Sequence, residues 1–291
     1  KEKQVNFFFE ASVGGGIPII RPLCQCLAAN YIEGIAGILN GTTNFILTMM
    51  IEEGMSFEEA LKIAQEKGYA EKDPTADVEG HDACRKVCIL ASLAFGKHVY
   101  PNQVETEGIT KISLEDVSYI ENAGGVIKLL GQIKYINDNE IAAFVSPAVV
   151  YNGSQLASVK DVFNAILVRG DAVGDVCFYG PGAGKLPTAS AVVADIIDCA
   201  KHSDRKKIFG WGEGSENYVV DYKEKIEMPF YVRAKATPNE VNSKFADVKF
   251  LSRKGQPSDE VAFITDYMTE NKLNKKLDGM NVINTIKVTN Y

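Results

Sequence analysis

The run from Gly68 to Gly96 limits the folds open to this chain more than any other stretch. It begins Gly68-Tyr-Ala-Glu-Lys-Asp-Pro-Thr-Ala-Asp-Val-Glu-Gly-His-Asp-Ala-Cys-Arg-Lys86 and turns apolar at once with Val87, Cys88, Ile89, Leu90, Leu93 and Ala94. That order predicts a loop carrying Glu71, Asp73, Asp77, Glu79 and Asp82 into a helix whose later turns enter a core and which ends near Gly96. Asp82 and Lys86 then stand one turn apart on a single helix face. A lysine at such a boundary is partly desolvated, which eases loss of its proton, while nearby carboxylates pull the other way. The balance suits a general acid or base. It also suits a plain surface helix, because carboxylates favour the N-terminal end of the dipole and an Asp–Lys pair at this spacing is routine.

The chain before this run reads as scaffold with two polar turns. Residues 5–10 (Val-Asn-Phe-Phe-Phe-Glu) read as a short strand ending in Glu10, and Gly14-Gly15-Gly16 then frees the backbone for a turn whose carbonyls can face a small cation. A tight turn with no ion fits the same residues. Pro18 suits the first position of a helix reaching about Asn30. Residues 31–39 are apolar enough for a buried strand, which Asn40-Gly41 ends. Thr42-Thr43 open a helix to about Glu53, and the free N–H groups at its start suit a carboxylate, or simply a threonine cap. Ser56-Phe-Glu-Glu59 is a capping box, and Gly68 closes its helix.

Beyond Gly96 the pattern predicts a strand and loop over 104–116, a helix from Leu114 into Asn122, strands over 126–132 and 141–150, and a hairpin of 163–168 with 173–179 about Arg169-Gly-Asp171. Gly180-Pro-Gly182-Ala-Gly184 then opens a helix to about Ala200. It is no Walker loop, since Tyr179 stands where a glycine is needed and Leu186 where a hydroxyl would meet magnesium. The stretch 202–225 is charged and glycine-rich, a linker composition. Four strands over 228–236, 248–252, 261–267 and 282–288, with polar helical segments before the second and fourth, give a β-α-β-β-α-β order.

Composition bounds the function classes. A net charge of −7 argues against a broad nucleic-acid surface. No apolar run approaches the roughly eighteen residues of a membrane span, and no signal-like segment opens the sequence. The six cysteines, Cys24, Cys26, Cys84, Cys88, Cys177 and Cys199, sit in apolar or helical contexts without a zinc spacing, so reduced thiols and a cytoplasmic setting are expected.

Four motifs together resemble one family. Phe9-Glu-Ala-Ser-Val-Gly-Gly-Gly-Ile-Pro-Ile-Ile, Leu39-Asn-Gly-Thr-Thr-Asn-Phe-Ile-Leu, the Gly68 to Lys86 run, and Phe178-Tyr-Gly-Pro-Gly-Ala-Gly-Lys-Leu-Pro-Thr-Ala-Ser-Ala-Val occur in the order seen in homoserine dehydrogenases. The resemblance implies NAD(P)-dependent interconversion of L-homoserine and L-aspartate 4-semialdehyde, in threonine, methionine and isoleucine biosynthesis. It implies Lys86 as the proton donor, with Glu71, Asp82, Asp77, Thr42 and Tyr69 at the substrate and Thr42 near its carboxylate. It further implies Gly184 against the coenzyme, and Glu10, Val13, Gly15 and Ile17 around a monovalent cation such as Na+. The expected fold is α+β, a mixed β-sheet with helices packed on one face, followed by a small degenerate ferredoxin-like ACT domain.

No strand here is followed by Gly-x-Gly-x-x-Gly, and family members place a Rossmann domain ahead of the Glu10 motif. The expected layout is therefore 1–13 as the remnant of a junction with a missing NAD(P)-binding domain and 14–204 as the catalytic and dimerisation domain. A linker over 205–225 and an ACT-like domain over 226–291 follow. The helix after Gly184 should then show an unusually apolar, bare outer face. The usual ACT start is degraded to Thr237-Pro-Asn-Glu, which sets threonine feedback against a purely structural or oligomerising role. A homodimer or tetramer is expected, and a chain inactive by itself. A noncatalytic regulatory or assembly protein derived from the enzyme is the competing reading.

Overall fold

Strands β3 (Gly125–Asn137) and β4 (Glu140–Tyr151) form the hairpin on which the molecule is built. They pair antiparallel from Gly125 opposite Tyr151 to Asn137 opposite Glu140, and almost every residue of β4 is buried. Both faces of β4 are covered, so its sequence is continuously apolar rather than alternating. The structure, a computed structural model, describes residues 5–202 and 210–291. Part of the expected linker (205–209) and the first four residues of the expected junction segment lie outside them.

Outward from β3 come β1 (Ile32–Ile38), β5 (Phe163–Gly170) and β6 (Gly174–Pro181), all antiparallel. On the other edge of β4 lie the two-residue β2 (Glu105–Thr106) and β10 (Asn281–Thr289), both parallel to it. The sheet then continues through β7 (Phe230–Lys235), β9 (Glu260–Thr265) and β8 (Val248–Leu251). The fold is thus α+β, with a mixed sheet. Strands β7 to β10, with helices α8 (Pro238–Lys244) and α9 (Glu270–Leu277), follow the β-α-β-β-α-β order, antiparallel in the sequence 4-1-3-2.

Alternation along the strands assigns the helices to faces. Ile141, Ala143 and Val145 join one core with α1 (Gly41–Glu53), α4 (His81–Phe95) and α5 (Leu114–Asn122). Ala142 and Phe144 join a second, on the opposite face, with α7 (Tyr222–Lys225), α8 and α9. On that opposite face, Leu156 and Val159 cover Leu130, Ala148 and Val150 in a third cluster. A fully buried Asp116 on α5 ties the two halves, accepting from the Tyr231 hydroxyl at 2.9 Å and ion-pairing with Arg233 of β7.

The helix ends follow local chemistry. Ser56 and Glu59 complete the capping box of α2 (Phe57–Glu66), and Thr237 with Glu240 does the same for α8, which is what the degraded Thr237-Pro-Asn-Glu sequence serves. Two expectations fail near the start of the chain. Residues 5–10 form no strand: no neighbouring strand offers them a ladder, Phe7 is exposed, and Glu10–Ser12 is a 3-10 turn. Nor does a regular helix run from Pro18. The Glu10 carboxylate accepts from the N–H groups of Ile19, Ile20 and Arg21 at 2.7, 2.7 and 3.0 Å and so starts the helix later. That helix soon becomes a π-turn, Pro22–Cys26. No helix among the described residues is long and apolar enough to cross a membrane.

Lys128 on β3 is only 2% exposed, and its Nζ donates to the Val159 carbonyl at 2.5 Å and to Asn44 Oδ1 at 3.1 Å. Burial lowers its pKa from 10.5 to about 8. Between those values the unfolded chain binds the proton and the folded one does not, so stability rises with pH across the window, by about 3 kcal/mol. Denaturant titrations should show that gain between pH 8 and pH 10.5 in the wild type and its absence in Lys128→Met.

Candidate functional site

Strand β1 ends at Ile38, and two residues later Asn40 caps α1, its Oδ1 accepting from the Thr43 N–H at 2.9 Å. The other end of the same amide points at the acid-rich run. Asn40 Nδ2 donates to Asp77 Oδ1 at 2.7 Å and to Asp82 Oδ2 at 2.9 Å. Lys86 Nζ donates to that same Asp82 oxygen at 2.7 Å and to the Leu39 carbonyl at 2.8 Å. One cap, two carboxylates and one ammonium therefore form a single connected group where β1, α1 and α4 meet.

The run reaches this geometry through a single helical turn followed by a long helix. Asp77 lies on the single turn α3 (Thr75–Val78), and Gly80 links it to α4 with φ +80°. A Cβ at Gly80 would come within 3.0 Å of Thr106 and 3.2 Å of Val145, so both the backbone conformation and the space require glycine. Upstream, Thr42 Oγ1 donates to the Tyr69 carbonyl at 2.6 Å, and the Phe45 and Tyr69 rings meet edge to face at 5.1 Å. These contacts hold the 69–73 loop on α1. Burial, reinforced by the Asp82 charge, raises the pKa of Asp77 even though the Asn40 hydrogen bond opposes it.

Thr42, Tyr69, Glu71, Asp77, Asp82 and Lys86 all line one cleft of about 580 Å³, and Gly184 lines it too. Sequence reasoning missed Asn40, Arg85 and Val162, which share this cleft. Arg85 was accessible by the same helical spacing as Lys86, being three residues from Asp82 on α4. Asn40 was read as a strand terminator, and only the fold shows what its amide donates to.

The expected cation ligands lie beside the cleft. Gly14 and Gly15 have φ of +72° and +57°, and a Cβ at Gly15 would fall 2.2 Å from the Gly182 carbonyl oxygen, so this turn packs directly on the Gly180 to Gly184 loop. No hydrogen bond among the described residues uses the carbonyls of Val13, Gly15 or Ile17. The Glu10 carboxylate is already engaged by three backbone N–H groups, with Arg21 Nε 3.6 Å away. Helix α6 (Lys185–Lys201) follows Gly184, and its Leu186, Val192, Val193, Ile196 and Ile197 are exposed, the apolar outer face anticipated above.

Comparison with known proteins places these features in context. The family model described as homoserine dehydrogenase matches residues 18–197. Homoserine dehydrogenase of Bacillus subtilis is 47% identical over 202 residues, which are 69% of this chain and 46% of the relative. That of Synechocystis is 51% identical over 197 residues, 67% of this chain and again 46% of the relative. The chain thus spans about half the length of the curated relatives it matches. The crystal structure of a homoserine dehydrogenase from Thiobacillus denitrificans aligns at a TM-score of 0.87 and 36% identity, over 99% of this chain and 71% of that one. A hyperthermophilic archaeal homoserine dehydrogenase mutant in complex with NADPH aligns at 0.57 and 31% identity, over 69% and 57%.

The shared amide sets a stability test. Asn40→Ala removes the cap and leaves two carboxylates without their common donor, at a cost of about 2 kcal/mol in chemical denaturation. Asn40→Asp keeps the cap acceptor but places a third carboxylate against Asp77 and Asp82. It should be the less stable variant at neutral pH and recover relative to Asn40→Ala as the pH falls.

Proposed function

The chain belongs to the homoserine dehydrogenase family, and on that premise we propose that its cleft binds L-homoserine and L-aspartate 4-semialdehyde as the substrate half of an NAD(P)-dependent oxidoreductase. The observation that carries this reading is the convergence of Asp77, Asp82 and Lys86 on the Asn40 amide, inside a cleft that also holds the first residues of α1. A small zwitterion needs a negative and a positive partner at fixed spacing, and the cleft supplies both.

Glu71 and Asp82 take the ammonium, with Asp77 in support, because opposite charge in a half-closed site gives a directional contact. The carboxylate lies at the start of α1, where the N–H groups of Gly41 and Thr42 precede the first intrahelical hydrogen bonds. Lys86 handles the proton. Two of its three N–H bonds are fixed by Asp82 and Leu39, leaving the third for the alcohol oxygen. In the oxidation direction the same nitrogen must first be neutral to accept that proton.

NAD(P), when bound, supplies the hydride acceptor or donor. Gly184, with φ +117° and no side chain at the cleft wall, leaves room for a flat ring to approach closely. The unused carbonyls of Val13, Gly15 and Ile17 suit a monovalent cation such as Na+, with Glu10 anchoring the turn that presents them. The exposed face of α6 suits a coenzyme domain packed on it in a longer protein. The β7 to β10 unit suits an ACT-like module over 226–291 that serves assembly into a homodimer or tetramer. The setting proposed is cytoplasmic amino-acid biosynthesis.

Isothermal titration of this chain with L-homoserine tests the reading. Lys86→Ala and Asp82→Ala should each weaken binding about tenfold or more. Absence of any heat at millimolar homoserine with the folded wild type would overturn it. Because Asp77 must be ionised to support an ammonium and its pKa is raised, wild-type affinity should begin to fall at a pH above the usual aspartate range. Asp77→Asn should bind more weakly and lose that step.

A further inference from the structure

A buried polar network outside the cleft holds the middle of α1, and the chemistry proposed above does not use it. The pairing of β1 with β3 extends only as far as Gly37 opposite Gly131, so Lys128 lies beyond the end of β1. Its Nζ reaches Asn44 Oδ1 at 3.1 Å and the Val159 carbonyl at 2.5 Å. Asn44 is 2% exposed, and its Nδ2 is shared among the carbonyls of Val159, Asp161 and Phe163 at 3.3, 3.0 and 3.2 Å. One turn on, Thr48 Oγ1 accepts from the Asp161 N–H at 3.1 Å and donates to the Asn44 carbonyl at 2.7 Å. Asp161 is held at φ +53°, the one non-glycine residue with positive φ among those described.

These bonds end at the cleft. Val162 follows Asp161 and lines the cleft with Gly41, one turn before Asn44. The two segments are pressed together so closely that a Cβ at Gly41 would stand 2.8 Å from the Val162 carbonyl oxygen. A fully buried lysine is an expensive way to fill space, and an apolar chain of similar length packs without that desolvation cost. What only the lysine supplies is one donor that fixes the orientation of the Asn44 amide and a second that ties the Val159 carbonyl to the same nitrogen.

We propose that Lys128 is a positioning residue for the cleft: through Asn44 and Val159 it sets the first turn of α1 against Val162, and so places the N–H groups of Gly41 and Thr42. The inference rests on the reading of the cleft as an amino-acid site, yet part of its test needs no ligand. In Lys128→Met the amide resonances of Gly41 and Val162 should shift in the unliganded protein, and L-homoserine affinity should drop about tenfold. Adding Asn44→Ala to Lys128→Met should weaken binding little further, because both changes break one linkage. Val232→Ala, a core truncation in the β7 strand, serves as the control for lost stability and should leave affinity and both resonances unchanged.

Unshifted Gly41 and Val162 resonances in Lys128→Met, or an affinity loss that Val232→Ala reproduces, overturns the proposal. If the wild type binds no homoserine, the functional reading fails and the resonances alone decide the role of Lys128. Should Lys128→Met not fold, Asn44→Ser, read by the same two resonances, decides in its place.

Discussion

A single side-chain amide, that of Asn40, carries the constraint on which the site depends. Its oxygen must stop β1 and start α1, while its nitrogen must satisfy Asp77 and Asp82, two carboxylates that would otherwise repel across a partly buried gap. Uncapped, α1 would lose its fixed start. Without the donor, Asp77 would face both desolvation and a like charge, the two influences that already raise its pKa. Lys86 then neutralises the pair from the far side, and the Leu39 carbonyl keeps the ammonium from swinging into solvent. Asn40 and Lys86 share one Asp82 oxygen, so the members are best regarded as one hydrogen-bonded unit.

The sheet makes that unit possible by fixing two chain segments that are distant in sequence. Pairing between β1 and β3 sets where Asn40 begins, and packing of α4 on β3 and β4 sets where Asp82 and Lys86 end. Between them, Gly80 allows a turn that no other residue would adopt without displacing Thr106 or Val145. Rigidity on both sides matters more than the identity of the loop. A pocket that must hold a small charged molecule gains its selectivity from donors and acceptors that do not relax when it is empty.

Much of this was legible in the residues, for physical reasons that differ by element. The capping box at Ser56 and Glu59 and the extent of α5 could be read locally, because caps and periodicity act within one turn. The alignment of Asp82 with Lys86 followed from helical geometry alone. The 5–10 segment misled because β propensity cannot supply a partner strand, and the helix expected from Pro18 misled because the Glu10 carboxylate caps from nine residues away. Asn40 was read only in part for a related reason: its place at the end of β1 is local, whereas its contacts with Asp77 and Asp82 span 37 and 42 residues. The burial of Lys128 was invisible in sequence, since a lysine in a strand reads as solvent-facing until the elements above it are placed.

The position of β10 bears on how such a chain reaches its native state. Although synthesised after the other nine strands, β10 is an interior strand, seated between β4 and β7. Until it docks, the long apolar edge of β4 is covered, among the described residues, by the two residues of β2 and a bridge from Val219 to Ile141 alone. A nascent chain emerging from the ribosome therefore displays an unpaired strand edge until almost all of the described sequence has been made, a state prone to mispairing with neighbouring chains. Closure must wait for contacts between residues far apart along the polypeptide, which slows assembly and makes the interval before it a point where chaperones have most to shield.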